Sequence, residues 1–223
     1  MGSPKRPGVE IPGRRLNGVD LERADALLAE DTPEARRQEV RALQAKVRLD
    51  QFVRSIPARF AEAQLSDLDM LDDGPRSAIT RWLESDHPTL ILVGDTGVGK
   101  THTAYAVLRQ AAASGVWVAG CEVIDLLRSL KPHADDSPLP RLAEMAPLFL
   151  FDDLAAHRSS DWVVEEFGGI ISRRTREERR QIITTNVTYD VLDATLGRRT
   201  MSRLMGGAVT VQVGGSDRRK TTW

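Results

Sequence analysis

The sequence predicts an α/β fold in which a parallel sheet is flanked by helices. Three observations carry this. Short apolar runs alternate with helical patterns from about residue 75 onward. The runs are continuous rather than alternating, as in Leu90–Val93 and Leu148–Phe151, which suits strands buried on both faces. The first run stops at Gly94, a glycine loop follows, and an alanine-rich helical pattern begins at once.

That loop reads Gly94-Asp95-Thr96-Gly97-Val98-Gly99-Lys100-Thr101, the pattern G-x-x-x-x-G-K-T. Placed between a strand and a helix, it is a phosphate-binding P-loop, so the chain is read as a P-loop NTPase. Gly94, Gly97 and Gly99 let the backbone turn tightly and aim N–H groups inward at phosphates, with Asp95, Thr96 and Val98 completing the cradle. Lys100 adds a point charge, and the Thr101 hydroxyl is suited to Mg²⁺. The next helix turns its positive end toward the triphosphate.

Composition narrows the classes. The chain has 223 residues, room for one α/β domain and an appendage, and its 41% hydrophobic and 28% charged residues are those of a globular protein. Lys+Arg is 31 against Asp+Glu 32, so no overall basic signal for nucleic acid exists. Arginines do outnumber acids between residues 173 and 220, which suggests a basic face for polyanions. A single cysteine, Cys121, excludes an intramolecular disulfide. The four histidines have no metal-ligand spacing, so no structural zinc is expected. No apolar run is long enough to span a bilayer, and the start of the chain carries no secretory signal. A cytoplasmic protein with no membrane partner is expected.

The elements follow in order. Residues 1–18, rich in Pro, Gly and Arg, read as a flexible arm. Residues 19–54 read as a small helical region: Asp20 caps a short helix, then Thr32-Pro33 starts a second one with Val40, Leu43 and Val47 at helical spacing and Phe52 and Val53 extending the stripe. Such helices cannot form a core alone and must pack on the main domain, on each other or on a partner. Ser55-Ile56-Pro57 ends the helix and opens the main domain, residues 55–223. Pro75 opens a helix carrying Ile79 and Trp82. A helix rich in alanine follows the P-loop, and Val116–Ala119 is read as the second strand. Leu148–Asp153 is the third and ends in two carboxylates. Gln181–Asn186 is the fourth, with a polar end, and Ala208–Val213 is an edge strand.

Ligands of open α/β sheets sit at the carboxyl ends of strands. The P-loop, Asp152 with Asp153, and Asn186 all fall at such ends. Asp152 is expected to hold Mg²⁺, directly or through water. Asp153 is expected to polarise the attacking water, and Asn186 to orient that water or meet the γ-phosphate. Arg199 and Arg203, four apart, share a helix face. Arg203 is the expected cation supplied in trans, with Arg199 and Arg198 as alternates. No guanine-reading Asn-Lys-x-Asp tetrad and no Leu-Ser-Gly-Gly-Gln segment occur, which argues against a GTPase and an ABC transporter subunit. After the last strand the chain is too short for a C-terminal helical lid.

Five segments together resemble a known family. They are Ile56-Pro57-Ala58-Arg59-Phe60, the Gly94–Thr101 loop, Phe149-Leu150-Phe151-Asp152-Asp153-Leu154, Ile183-Thr184-Thr185-Asn186, and Leu196-Gly197-Arg198-Arg199-Thr200-Met201-Ser202-Arg203-Leu204. Their order is similar to that of lidless AAA+ ATPases, namely the DnaC-like helicase loaders and IstB-like transposition helper ATPases. The resemblance covers about Ile56 to Arg219. It implies that Lys100, Thr101 and Asp152 bind Mg-ATP, that Asp153 is catalytic, that Asn186 is sensor I and Arg203 the arginine finger, and that Ile56–Phe60 lies near the adenine. It also implies ATP-driven self-association through the ATP site, loading of a DnaB-type replicative helicase onto single-stranded DNA, and an N-terminal region that grips the helicase. The loop 131–140 and the Arg173–Arg180 cluster are candidate DNA contacts. Rival readings are a transposition helper on duplex DNA, a nucleotide-gated binding module and, less well supported, a small-molecule P-loop kinase.

Overall fold

A computed structural model describes residues 33–131, 137–155 and 160–218. The expected arm, the helix begun by Asp20, the Thr32 cap and the middle of the 131–140 loop lie outside these residues. Contacts divide the chain into two units, residues 1–41 and 42–223.

Helix α1 spans Pro33–Ser55 and ends one residue before Ile56-Pro57, where the proline disfavours helical angles in its predecessor. Two 3₁₀ turns, Ala58–Phe60 and Leu65–Met70, lead to α2, Asp73–Leu83. The second turn is closed by a capping box in which the Gln64 N–H donates to Asp67 Oδ2 at 2.8 Å. Then strand and helix alternate: β1 Thr89–Val93, α3 Lys100–Ala113, β2 Val118–Glu122, α4 Val123–Ser129, α5 Leu139–Met145, β3 Leu148–Asp152, α6 Asp161–Arg176, β4 Arg180–Thr185, α7 Tyr189–Leu196, α8 Arg198–Met205 and β5 Ala208–Gln212.

All five strands are parallel, in the order β2-β3-β4-β1-β5. The sheet thus has β4 inserted between β1 and β3, with Leu90 opposite Ile182 and Leu150 also opposite Ile182. Side chains alternate across it. Leu90 and Leu92 face a core with Ile79, Trp82, Val107 and Leu108, whereas Ile91, Phe149 and Phe151 face one with Val123, Phe167, Ile170 and Met201. Helices on both faces are what the continuous apolar runs predicted.

The second strand begins two residues later than the sequence suggests and runs to Glu122. It lies at a sheet end and is only partly buried, so its Gly120-Cys121-Glu122 end carries no apolar signal. Gly120 is needed there, because a Cβ would stand 2.7 Å from the Leu150 side chain. In α1, Phe52 is buried against Tyr105, whereas Leu43 and Val47 of the predicted stripe are exposed.

The predicted Arg173–Arg180 cluster is not one basic face. Arg174 is fully buried. Its guanidinium donates to the Ala143 carbonyl at 2.6 Å, the Ala146 carbonyl at 2.9 Å, Gln181 Oε1 at 3.3 Å and the Arg180 carbonyl. Burial pushes it down to about 9, which still leaves it charged at neutral pH. Arg180 lies 3.9 Å over the Trp82 ring and donates to the Trp82 carbonyl. Both residues stitch the N-terminal edge of the sheet, opposite the P-loop.

Candidate functional site

The insertion of β4 brings three strand ends together. β1 runs into the glycine loop, β3 into Asp152 and Asp153, and β4 into Asn186. Because β4 lies between the other two, its polar end sits between the glycine loop and the acidic pair.

The loop takes its shape from local backbone demands. Gly97 has φ +89, a left-handed angle that favours glycine. At Gly94 the demand is space: a Cβ would stand 2.2 Å from the Val213 carbonyl oxygen, on the segment leaving β5. Lys100 opens α3 with its side chain buried and donates to the Gly94 and Asp95 carbonyls, both at 2.7 Å. The ammonium is therefore held over the loop.

The acidic pair is divided by its surroundings. Asp152 is 4% exposed and accepts at Oδ1 from the Thr101 hydroxyl at 2.9 Å and the Thr184 hydroxyl at 2.6 Å. Burial holds its carboxyl above the usual carboxylate range, against the pull of those two hydrogen bonds. Asp153 is exposed, and its backbone is left-handed at φ +56. The residues fit Mg-ATP: a hydroxyl and a carboxylate, both hard oxygen donors, meet beside the lysine, and a buried carboxylate favours a neighbouring cation. Thr101 and Asp152 would hold the ion, which supplies charge neutralisation to the triphosphate.

Asn186 is exposed, and its Nδ2 reaches Thr96 Oγ1 at 3.5 Å, so it bridges from β4 to the glycine loop. The Ile56–Phe60 segment packs beside α3. Phe60 stacks on Tyr105 with centroids 4.8 Å apart, and the Arg59 guanidinium lies over the Phe60 ring, 4.6 Å from its centroid. Arg203 lies elsewhere. It donates to Ser172 Oγ at 2.7 Å and, with Arg199 and Arg176, lines an open cleft of about 1130 Å³ between α6 and α7–α8. None of the cleft's residues belongs to the glycine loop.

Two features escaped sequence reasoning. Thr184 joins the two acids, its hydroxyl bonded to the Asp153 N–H and to Asp152 Oδ1. The segment after β5 crosses the glycine loop: Arg218 N–H donates to the Gly97 carbonyl at 3.0 Å, and the Asp217 carboxylate stands where a Cβ on Gly97 would be. Residues 214–218 carry no periodicity, and only the fold brings them to the loop.

A five-stranded parallel sheet with β4 between the P-loop strand and the acidic strand, and a strand-end Asn reaching from β4 to the glycine loop, defines the ATP-binding AAA+ class of P-loop ATPases. The chain belongs to the IstB-like ATP binding protein family, whose profile matches residues 21–222. It is 31% identical over 180 residues to a protein of Mycobacterium tuberculosis named as an ATP-binding protein (Rv3427c) in an insertion sequence, across 75% of this chain and 67% of that one. It is 28% identical over 116 residues to YdaV of Escherichia coli, across 50% of this chain, and spans about half of that relative's length, 46%. Among solved structures it is similar to DnaI (TM-score 0.64, 26% identity, 74% of this chain and 94% of that one). It is also similar to the DnaC helicase loader (TM-score 0.60, 24% identity, 71% and 100%). Among the described residues no helix is long and apolar enough to cross a membrane.

Proposed function

We propose that the chain is an ATP-driven assembly switch that loads a DnaB-type replicative helicase onto single-stranded DNA. The observation that carries the reading is the separation of Arg203 from the glycine loop. Lys100, Thr101, Asp152, Asp153 and Asn186 converge on one ATP site, while Arg203 faces a different cleft. A site whose arginine is supplied by the next copy hydrolyses ATP only when copies assemble. Mg²⁺ held by Thr101 and Asp152 and water polarised by Asp153 complete the chemistry. Residues 19–54 form the partner-binding region, and the exposed Leu43 and Val47 of α1 support this. Likeness of fold to the DnaC helicase loader and to DnaI supports the loader role. A second reading, a transposition helper acting on duplex DNA, is favoured by the identity to the insertion-sequence protein.

The test is co-purification with the replicative helicase, with ATP and without. Truncation at residue 54 would also remove the buried Phe52, so Leu43→Lys with Val47→Lys is the better variant. The loader reading expects a helicase complex that the double variant loses. No helicase complex, with ATP-dependent binding of a transposase and duplex DNA, would replace it with the helper reading.

A further inference from the structure

We infer that Thr184 is a positioning residue that sets both acids of the ATP site through one hydroxyl. The backbone ladder between β3 and β4 ends at Phe151 opposite Ile183. One residue beyond, the ladder is replaced by a side chain. Thr184 Oγ1 accepts from the Asp153 N–H at 2.8 Å and donates to Asp152 Oδ1 at 2.6 Å. The Thr184 carbonyl then accepts from the Leu154 N–H at 2.8 Å, and Thr185 Oγ1 donates to the Leu154 carbonyl at 2.5 Å. The chain between these anchors makes a one-residue detour, and Asp153 is the residue held at φ +56.

The consequence differs for the two acids. Thr184 and Thr101 both point at Oδ1 of Asp152, so the carboxylate is oriented toward the first turn of α3. Asp153 makes its contact with Thr184 through the backbone, which leaves its carboxylate outward and exposed. The hydroxyl of one buried residue, 1% exposed, therefore makes neighbouring aspartates point in different directions. Only a side chain that donates and accepts at once does this. Valine, of the same shape, does neither, and serine does both. The sequence gives no hint of it, because Thr184 reads simply as a β-branched strand residue.

The role rests on reading this site as one for Mg-ATP and is independent of the loader proposal. The experiment compares Thr184→Val and Thr184→Ser in the full chain. It measures affinity for a fluorescent ATP analogue in Mg²⁺ and in EDTA, ATP turnover, and thermal melting. Orienting groups behind metal ligands typically change affinity or activity by about 10- to 100-fold. Thr184→Val is expected to lose most of the Mg²⁺-dependent gain in affinity and at least tenfold in turnover, to keep its affinity in EDTA, and Thr184→Ser to restore both losses. A wild-type Mg²⁺ gain and turnover in Thr184→Val, or a Thr184→Ser variant as defective as the valine, would overturn the inference. Should Thr184→Val not fold, Thr184→Ala, which likewise neither donates nor accepts, is read by the same criteria. Failure of the wild-type chain to bind the analogue in either condition would instead refute the ATP site itself.

Discussion

Replacing Arg174 by methionine tests whether the N-terminal edge of the sheet is held by one buried cation. The substitution keeps the volume and removes the charge, which by itself relieves a desolvation cost. The acceptors decide the sign. Three of the four groups bonded to Arg174 are backbone carbonyls, of Ala143, Ala146 and Arg180, and cannot be redesigned by the same change. The fourth, Gln181 Oε1, belongs to a side chain whose Nε2 is already committed to Thr89 Oγ1 at 3.1 Å. Each buried acceptor left without a donor costs about 1–3 kcal/mol, so relief of the guanidinium offsets only part of the loss. With four acceptors orphaned at that cost and part of it offset, a net destabilisation of about 3–5 kcal/mol is expected. At about 2–4 °C per kcal/mol for a chain of this size, the melting temperature falls by about 6–20 °C. The assay is thermal unfolding by circular dichroism, alongside nucleotide affinity at low temperature. Affinity is expected to be unchanged, because Arg174 lies at the opposite edge of the sheet from the P-loop. A loss below about 1 kcal/mol would refute the accounting.

Further outcomes follow from the site. Asp152→Asn keeps an oxygen for Thr101 and Thr184 but drops the charge, so Mg²⁺-dependent nucleotide affinity is lost while the fold persists, as titration of Mg²⁺ would read. Its pKa is raised in the folded state, so the folded chain holds the proton longer than the unfolded one. Ligand-free wild-type protein therefore loses stability as pH rises from the unfolded value of about 3.9 toward the raised one, and Asp152→Asn removes that slope in melting against pH. Asp153→Asn is expected to bind Mg-ATP normally and to lose turnover, measured as phosphate release. Asp217→Ala removes a carboxylate from the face of Gly97 and is expected to tighten ATP binding severalfold. Unchanged or weaker binding in calorimetry would count against repulsion from the segment after β5.

Much of this molecule was legible because its signals are local. The continuous apolar strands, the glycine loop and the strand-end Asp152, Asp153 and Asn186 declare themselves within a few residues, and one topology rule brings their ends together. What was not legible depends on distant partners. A run of arginines near residue 173 reads as a basic face, yet Arg174 turns into the core because carbonyls from α5 and β4 happen to face it. Thr184 and Asp217 acquire their places only when β3, β4 and the segment after β5 meet. Whether an arginine serves its own site or a neighbour's also depends on where α8 packs, and Arg203 packs on α6, away from the loop.

The claim that this ATP site is completed by a second copy is tested most directly by mixing two inactive variants. Lys100→Ala lacks the ammonium held over the glycine loop but retains Arg203, whereas Arg203→Ala retains the loop and its lysine but offers no cation to its neighbour. Phosphate release is measured for each variant and for an equimolar mixture at the same total concentration. The account predicts that the mixture recovers activity well above either variant alone, since some junctions pair an intact loop with an intact Arg203. A mixture no more active than the mean of its components, with both variants folded and Arg203→Ala still binding ATP, would contradict it.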